Sequence, residues 1–186
     1  MRSKITILAI TVLAIMFANT TMAGEFTLSS PQLKPEGTLD MAQVFNGFGC
    51  TGKNISPALA WKGAPQETKS FALTVYDPDA PTGSGWWHWL IFNIPADINQ
   101  LAENAGNPES GLAPKGSVQS RTDFGKTGYG GACPPKGDKP HRYIFTIFAL
   151  DTDKLSLDAN APGAMVGFYL NSHKLAAATI TVYFSR

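Results

Sequence analysis

Apolar and β-branched residues gather along the chain in four stretches of strand length: Ser70–Tyr76 (SFALTVY), His88–Ile94 (HWLIFNI), Tyr143–Leu150 (YIFTIFAL) and Thr179–Phe184 (TITVYF). Turn residues such as Gly, Pro, Asn and Asp lie between them, so each stretch predicts a strand. His88–Ile94 and Tyr143–Leu150 are almost continuously apolar, which predicts strands covered on both faces in the middle of a packed sandwich. Pro162–Ala178 (PGAMVGFYLNSHKLAAA) differs. It opens on a proline suited to a first helical turn and places Met165, Phe168, Tyr169 and Leu175 near helical spacing, so it predicts a helix followed by the last strand. Asn99–Lys139 is dense in Gly, Pro, Ser and Asn. A long connection of that kind in a compact domain often builds a binding site, so the chemistry is expected at loop ends. No internal repeat or low-complexity tract is visible.

Composition narrows the class. The 186 residues carry 15 Lys+Arg against 14 Asp+Glu and no run of like charge, which argues against a nucleic-acid partner. A hydrophobic share of 44% excludes general disorder, and the length suits one domain. The first residues stand apart. Arg2 and Lys4 precede the uncharged run Ile5–Ala18, and Thr21-Met22-Ala23 ends in small residues, the pattern of a secretory signal peptide. The apolar run is 14 residues long, whereas a membrane-spanning helix needs about 20. Cleavage after Ala23 is therefore expected. It would leave a single domain, 24–186, periplasmic or secreted, with no integral membrane segment.

Export decides how Cys50 and Cys133 are read. In an oxidising compartment two cysteines are most simply a disulfide, and only one pairing exists. The bond would close a loop of 83 positions, for which chain entropy gives about 4 to 5 kcal/mol. A metal or redox pair would want a close CxxC spacing, which is absent.

Two segments concentrate polar chemistry: DPDAP (Asp77–Pro81) with GSGWWHW (Gly83–Trp89), and GKTGYGGACPPKGDKPHRY (Gly125–Tyr143), which runs into a strand. With GFGCTGKNISPALAW (Gly47–Trp61), these motifs resemble the phosphatidylethanolamine-binding protein family, and the exported chain resembles its bacterial periplasmic Raf-kinase-inhibitor-like branch. The resemblance extends from about Phe26 to the C-terminus. It implies a mainly β fold, an antiparallel β-sandwich with a helix near the C-terminus and a small anion pocket at one end. Carried over residue by residue, it implies a pocket lined by Asp77, Asp79, His88, Cys133, Pro134, Pro135, His141 and Tyr143. Ala132 departs from the pattern, since relatives in that branch often carry proline there, and this bears on the shape of the rim. The resemblance further implies a phosphate or phosphoethanolamine-like ligand. It also implies inhibition of protein partners, which are kinases in eukaryotic relatives and a serine carboxypeptidase in another.

The residues allow an independent reading. Asp77 and Asp79, at i and i+2, can face one side, and two close carboxylates need relief from hydrogen bonds, a raised pKa or a cation. The imidazoles of His88 and His141 are the candidates, and an imidazolium held by aspartate can bind an oxyanion. Backbone N–H groups of Gly128–Cys133 could add donors. The expected ligand is thus a weakly held small anion, favoured by low pH. The plain alternative for DPDAP is a turn in which Asp side chains bond backbone amides. Trp86, Trp87 and Trp89 read as core or rim packing, and His173 as a surface residue with no acid beside it in the sequence. Ala80–Pro81 is left open as cis or trans.

Catalysis lacks its parts. There is no G-x-S-x-G elbow, Ser56 and Ser84 have no base partner by spacing, and Cys133 is expected to be oxidised. GKTGYGG is not a phosphate-binding loop followed by a helix, and no cofactor motif is found. The expected function is a monomeric binding or regulatory module, with a possible protein partner at the loops around Trp86 and Lys136–Lys139. The enzymatic alternative is a hydrolase or metal-dependent enzyme using His88, His141 and the two aspartates.

Overall fold

The computed structural model describes residues 24–186, so the leader expected at residues 1–23 lies outside the described residues. In chain order the strands are β1 (Thr27–Ser29), β2 (Asn46–Gly47), β3 (Cys50–Thr51), β4 (Leu59–Lys62), β5 (Ser70–Asp77), β6 (Trp86–Pro95), β7 (Gln100–Leu101), β8 (Val118–Gln119), β9 (His141–Leu150) and β10 (Lys174–Phe184). One helix, α1 (Gly163–His173), precedes β10. The main sheet is antiparallel in the order β10-β9-β5-β6-β8, and a smaller sheet has the order β1-β4-β7.

Both faces of the main sheet are covered, as the unbroken apolar runs predict. Phe71, Leu73 and Val75 of β5 and Tyr143, Phe145 and Ile147 of β9 alternate onto one face. There they meet Leu59, Trp61 and Leu101 of the smaller sheet. Ala72, Leu90, Phe92 and Leu150 point the other way and pack under Val166 and Leu170 of α1. Period-two alternation would turn either Ile91 or Ile94 away from the first core, yet both lie in it. Asn93 resolves this by taking a left-handed backbone (φ 58°) where the β5–β6 register shifts. Its side chain exchanges hydrogen bonds with the backbone of Leu155 (N–H to Oδ1 2.8 Å, Nδ2 to O 3.3 Å) and so ties the segment before α1 to the sheet.

Several boundaries differ from expectation. The helix ends at His173, and Lys174–Ala178 is strand, because these residues pair with β9 from Leu150 to Ile147. Pairing overrides the helix preference of the alanines. The helical stripe also differs, since Gly163, Val166 and Leu170 are the buried positions and Met165 and Phe168 are exposed. The long connection carries β7, β8 and a short 3-10 turn at Pro108–Ser110. His173 does have an acid partner in space, Asp151, 2.8 Å from its Nδ1. Ala80–Pro81 is trans. Cys50 and Cys133 are bonded, with Cα atoms 6.0 Å apart.

Candidate functional site

β5 ends at Asp77, while its antiparallel neighbours β6 and β9 begin at Trp86 and His141, so all three present a terminus at the same end of the main sheet. A cavity of about 220 Å³ opens there. Asp77, His88, Cys133, Pro134, Pro135, His141 and Tyr143 line it, seven of the eight residues expected from sequence. Phe48, Trp86 and Phe124 complete its aromatic wall.

Asp77 is only 2% exposed and fully engaged. Its Oδ1 accepts the backbone N–H of Asp79 (2.8 Å) and Ala80 (3.1 Å), and its Oδ2 accepts from His141 Nδ1 (2.8 Å). The turn and the pairing with histidine, weighed as alternatives in the sequence, are thus made by one carboxylate. His141 Nε2 lies 3.3 Å from Asp138 Oδ2, so the ring has a carboxylate at each nitrogen.

Asp79 does not line the cavity. Because β5 ends at Asp77, the two-residue spacing no longer puts both side chains on one side, and the chain turns between them. The Asp79 carboxylate instead makes a two-pronged pair with Arg142, from Nε at 2.9 Å and Nη2 at 2.8 Å, and accepts the Arg142 backbone N–H at 2.9 Å. A guanidinium, not an imidazole, relieves it. The Arg142 hydrogen bonds hold its carboxyl well below the usual range, at about 2, against a smaller opposing effect of burial. A lowered folded-state value means the pair stabilises the fold fully above the unfolded value of 3.8 and less as pH falls through about 2. The urea midpoints of wild type and Asp79→Asn should therefore differ by a constant amount near neutrality and converge between about pH 4 and pH 2. A gap that persists unchanged at the acid end would contradict this assignment.

His88 donates from Nδ1 to the Gly130 carbonyl (2.7 Å), and its ring packs edge-on against Phe124 and Tyr143. Burial pushes its pKa down, opposed by the Gly130 carbonyl and the Asp77 carboxylate. The larger effect thus disfavours the imidazolium form at His88, and the imidazole held directly by an aspartate is that of His141. In the glycine-rich turn Gly128–Cys133, four of the six amides differ in role from the expected anion donors. The amides of Tyr129, Gly130, Gly131 and Ala132 donate to Gly106 O, His88 O, Asn54 Oδ1 and Gln43 O, so they build the wall and are spent. The N–H of Ala132 reaches Gln43 O at 3.3 Å, a bond that proline could not make.

Among the described residues, two buried donors at the cavity have no hydrogen-bond partner: the Tyr143 hydroxyl and the Trp86 indole nitrogen. Burial, with Asp77 nearby, pushes the Tyr143 hydroxyl far up, so it remains a neutral donor. Trp89 is core, with its indole on Gln119 Oε1 (2.7 Å), and Trp87 packs at a tilt against Tyr76 and meets Gly163 of α1, where a side chain would collide with the indole. Phe124 lies outside the sequence motifs, whereas Phe48 stands in the Gly47–Trp61 segment and Trp86 in WWHW. Among the described residues no three His, Cys, Asp or Glu side chains are grouped to hold a metal ion.

Comparison with known proteins matches both the chain and its fold. The family model described as phosphatidylethanolamine-binding protein matches residues 29–185. The UPF0098 protein YbcL of Escherichia coli (strain K12) is 52% identical over 176 residues, covering 95% of this chain and 96% of that protein. The UPF0098 protein YbhB of the same organism is 56% identical over 160 residues, covering 85% and 99%. The crystal structure of E. coli YbcL, described as a new member of the mammalian PEBP family, superposes with a TM-score of 0.86 at 53% identity, covering 88% of this chain and 99% of that one. A homologue from Chlamydia trachomatis superposes with a TM-score of 0.71 at 27% identity, covering 87% and 97%. The chain belongs to the phosphatidylethanolamine-binding protein family.

Proposed function

We propose that the chain acts as an exported, non-catalytic binding module whose cavity takes a small oxyanion, a phosphate or a phosphoethanolamine-like headgroup. The observation that carries this is the pair of unpartnered buried donors, Tyr143 O–H and Trp86 Nε1–H, on a wall that also holds His88 and His141. A buried donor without a partner is costly, and an anion oxygen would satisfy it. His88 completes the site in one of two ways. It gains a proton as the anion enters, or its bare nitrogen accepts a proton that the ligand carries. At His141 an incoming oxygen would compete with Asp138, which is largely exposed and bonded at 3.3 Å.

Among the described residues, the hydroxyl and thiol groups at the cavity are engaged in other roles. Cys133 is in the disulfide, the Thr82 hydroxyl donates to Gly85 O, and Tyr143 is held protonated. Export is supported by the pattern of residues 1–23, and among the described residues no helix is long and apolar enough to cross a membrane. A protein partner would meet the rim, around Trp86 and Lys136–Lys139, so an interface function could survive loss of anion binding.

Sulfate tests the pocket, because its own charge is constant across the useful pH range. Calorimetric titration of the chain from Gly24 should show weak one-to-one binding that tightens from about pH 8 to about pH 5.5, by at most about tenfold per unit for one coupled proton. Tighter binding at the alkaline value would remove histidine protonation from the site.

A further inference from the structure

On the far side of Phe48 and Phe124 lies a larger groove, about 710 Å³ against about 220 Å³ for the cavity. Its walls come from three separate segments, around Phe45–Ile55, Asn104–Pro108 and Thr122–Gly130. They are locked together by interior hydrogen bonds. Tyr129 N–H donates to Gly106 O (2.8 Å), Gly106 N–H to Ser56 Oγ (2.8 Å), and Asn54 bridges Tyr129 O and Gly131 N–H (3.1 and 2.7 Å). Gly128, at φ 92°, lets two walls touch, since a Cβ there would lie 2.5 Å from Gly106 O and 2.6 Å from Pro108 Cδ. The groove is therefore preformed, which reduces the ordering cost of binding.

Its lining is chemically one-sided. Lys53 and Lys126 line it, both exposed, and among the described residues neither makes an ion pair and no Asp or Glu lines the groove. The neighbouring Asp123 is tied to the Trp87 N–H at 2.7 Å. Beside the lysines, Phe45, Phe48 and Phe124 form a three-ring cluster with centroids 4.5 to 5.9 Å apart. Phe48 is 68% exposed and held at φ 52°, a backbone region that bulky residues rarely adopt. Its position is fixed by neighbours on either side, with the Cys50–Cys133 bond close in the chain and Arg186 Nη2 donating to its carbonyl (3.3 Å). An apolar ring displayed at such a conformational cost, next to two uncompensated cations, suits a ligand that needs both.

We propose that this groove is a second binding site, for an organic anion with an aromatic body: the body stacks on the Phe45–Phe48–Phe124 cluster and the anionic group meets Lys53 and Lys126. The site uses different polar groups from the oxyanion cavity, although Phe48 and Phe124 stand in both linings.

The test uses two fluorescent probes of similar shape, the anion 8-anilino-1-naphthalenesulfonate and its uncharged analogue N-phenyl-1-naphthylamine, with the double variant Lys53→Gln/Lys126→Gln and with His141→Ala. Circular dichroism checks that each is folded. The anionic probe should bind wild type at one equivalent, bind the lysine variant about tenfold or more weakly, and bind His141→Ala as it binds wild type. The uncharged probe should not distinguish wild type from the lysine variant. Equal affinity of the anionic probe for wild type and the lysine variant overturns the proposal, as does loss confined to His141→Ala. Sulfate titration reports the cavity separately, so failure of one site is distinguishable from failure of the other.

Discussion

Asp77→Ala is expected to lower the stability of the fold by about 3 to 5 kcal/mol and to abolish sulfate binding. The carboxylate is 2% exposed and accepts two backbone N–H groups and the His141 ring. Alanine would leave the buried His141 ring and the part-buried N–H groups of Asp79 and Ala80 unpaired at once. Asp77→Asn separates the contributions. Its amide oxygen can still accept the Asp79 and Ala80 amides, but its NH2 would oppose the His141 N–H, so it should recover part of the stability and little of the binding. Urea denaturation and calorimetry on the three proteins measure both effects. A midpoint for Asp77→Ala within the error of wild type would mean that the carboxylate does not hold this end of the sheet.

Removal of the Cys50–Cys133 bond should be of similar size. The bond closes a separation of 83 positions, and the entropy regained by the unfolded chain corresponds to about 4.5 kcal/mol. It also joins the Phe48 loop to the Cys133–Pro135 wall, so its loss loosens two sides of the cavity. Cys50→Ser/Cys133→Ser, or reduction of the wild type, should shift the urea midpoint strongly and weaken sulfate binding. An unchanged midpoint in reductant would show that the loop is held by its other contacts alone.

The strands were readable because their apolar runs are long and both faces of the main sheet are covered. The helix end was not, since Lys174–Ala178 has the composition of a helix and becomes strand only through its partner β9. For Asp79 the error has a geometric origin: the i, i+2 rule holds inside a strand and fails one residue beyond it. Arg142 was in view within the HRY motif, adjacent to the histidine, and its fork is the natural match for a carboxylate. His88 could be placed by its motif, but its low proton affinity follows from burial among aromatic rings that converge only in three dimensions. Phe124 is invisible in the same way, because it meets Phe48 from a distant part of the chain.

Asp77, Trp86, His88, His141 and Tyr143 bring the ends of β5, β6 and β9, paired strands of the main sheet, into the cavity wall, and loops close the rest of it. A compound held there would be bound only while those strands remain paired, so its binding energy would add to that of the whole fold. The melting temperature thereby becomes a gauge of occupancy, and candidate compounds can be ranked by how much heat resistance they confer.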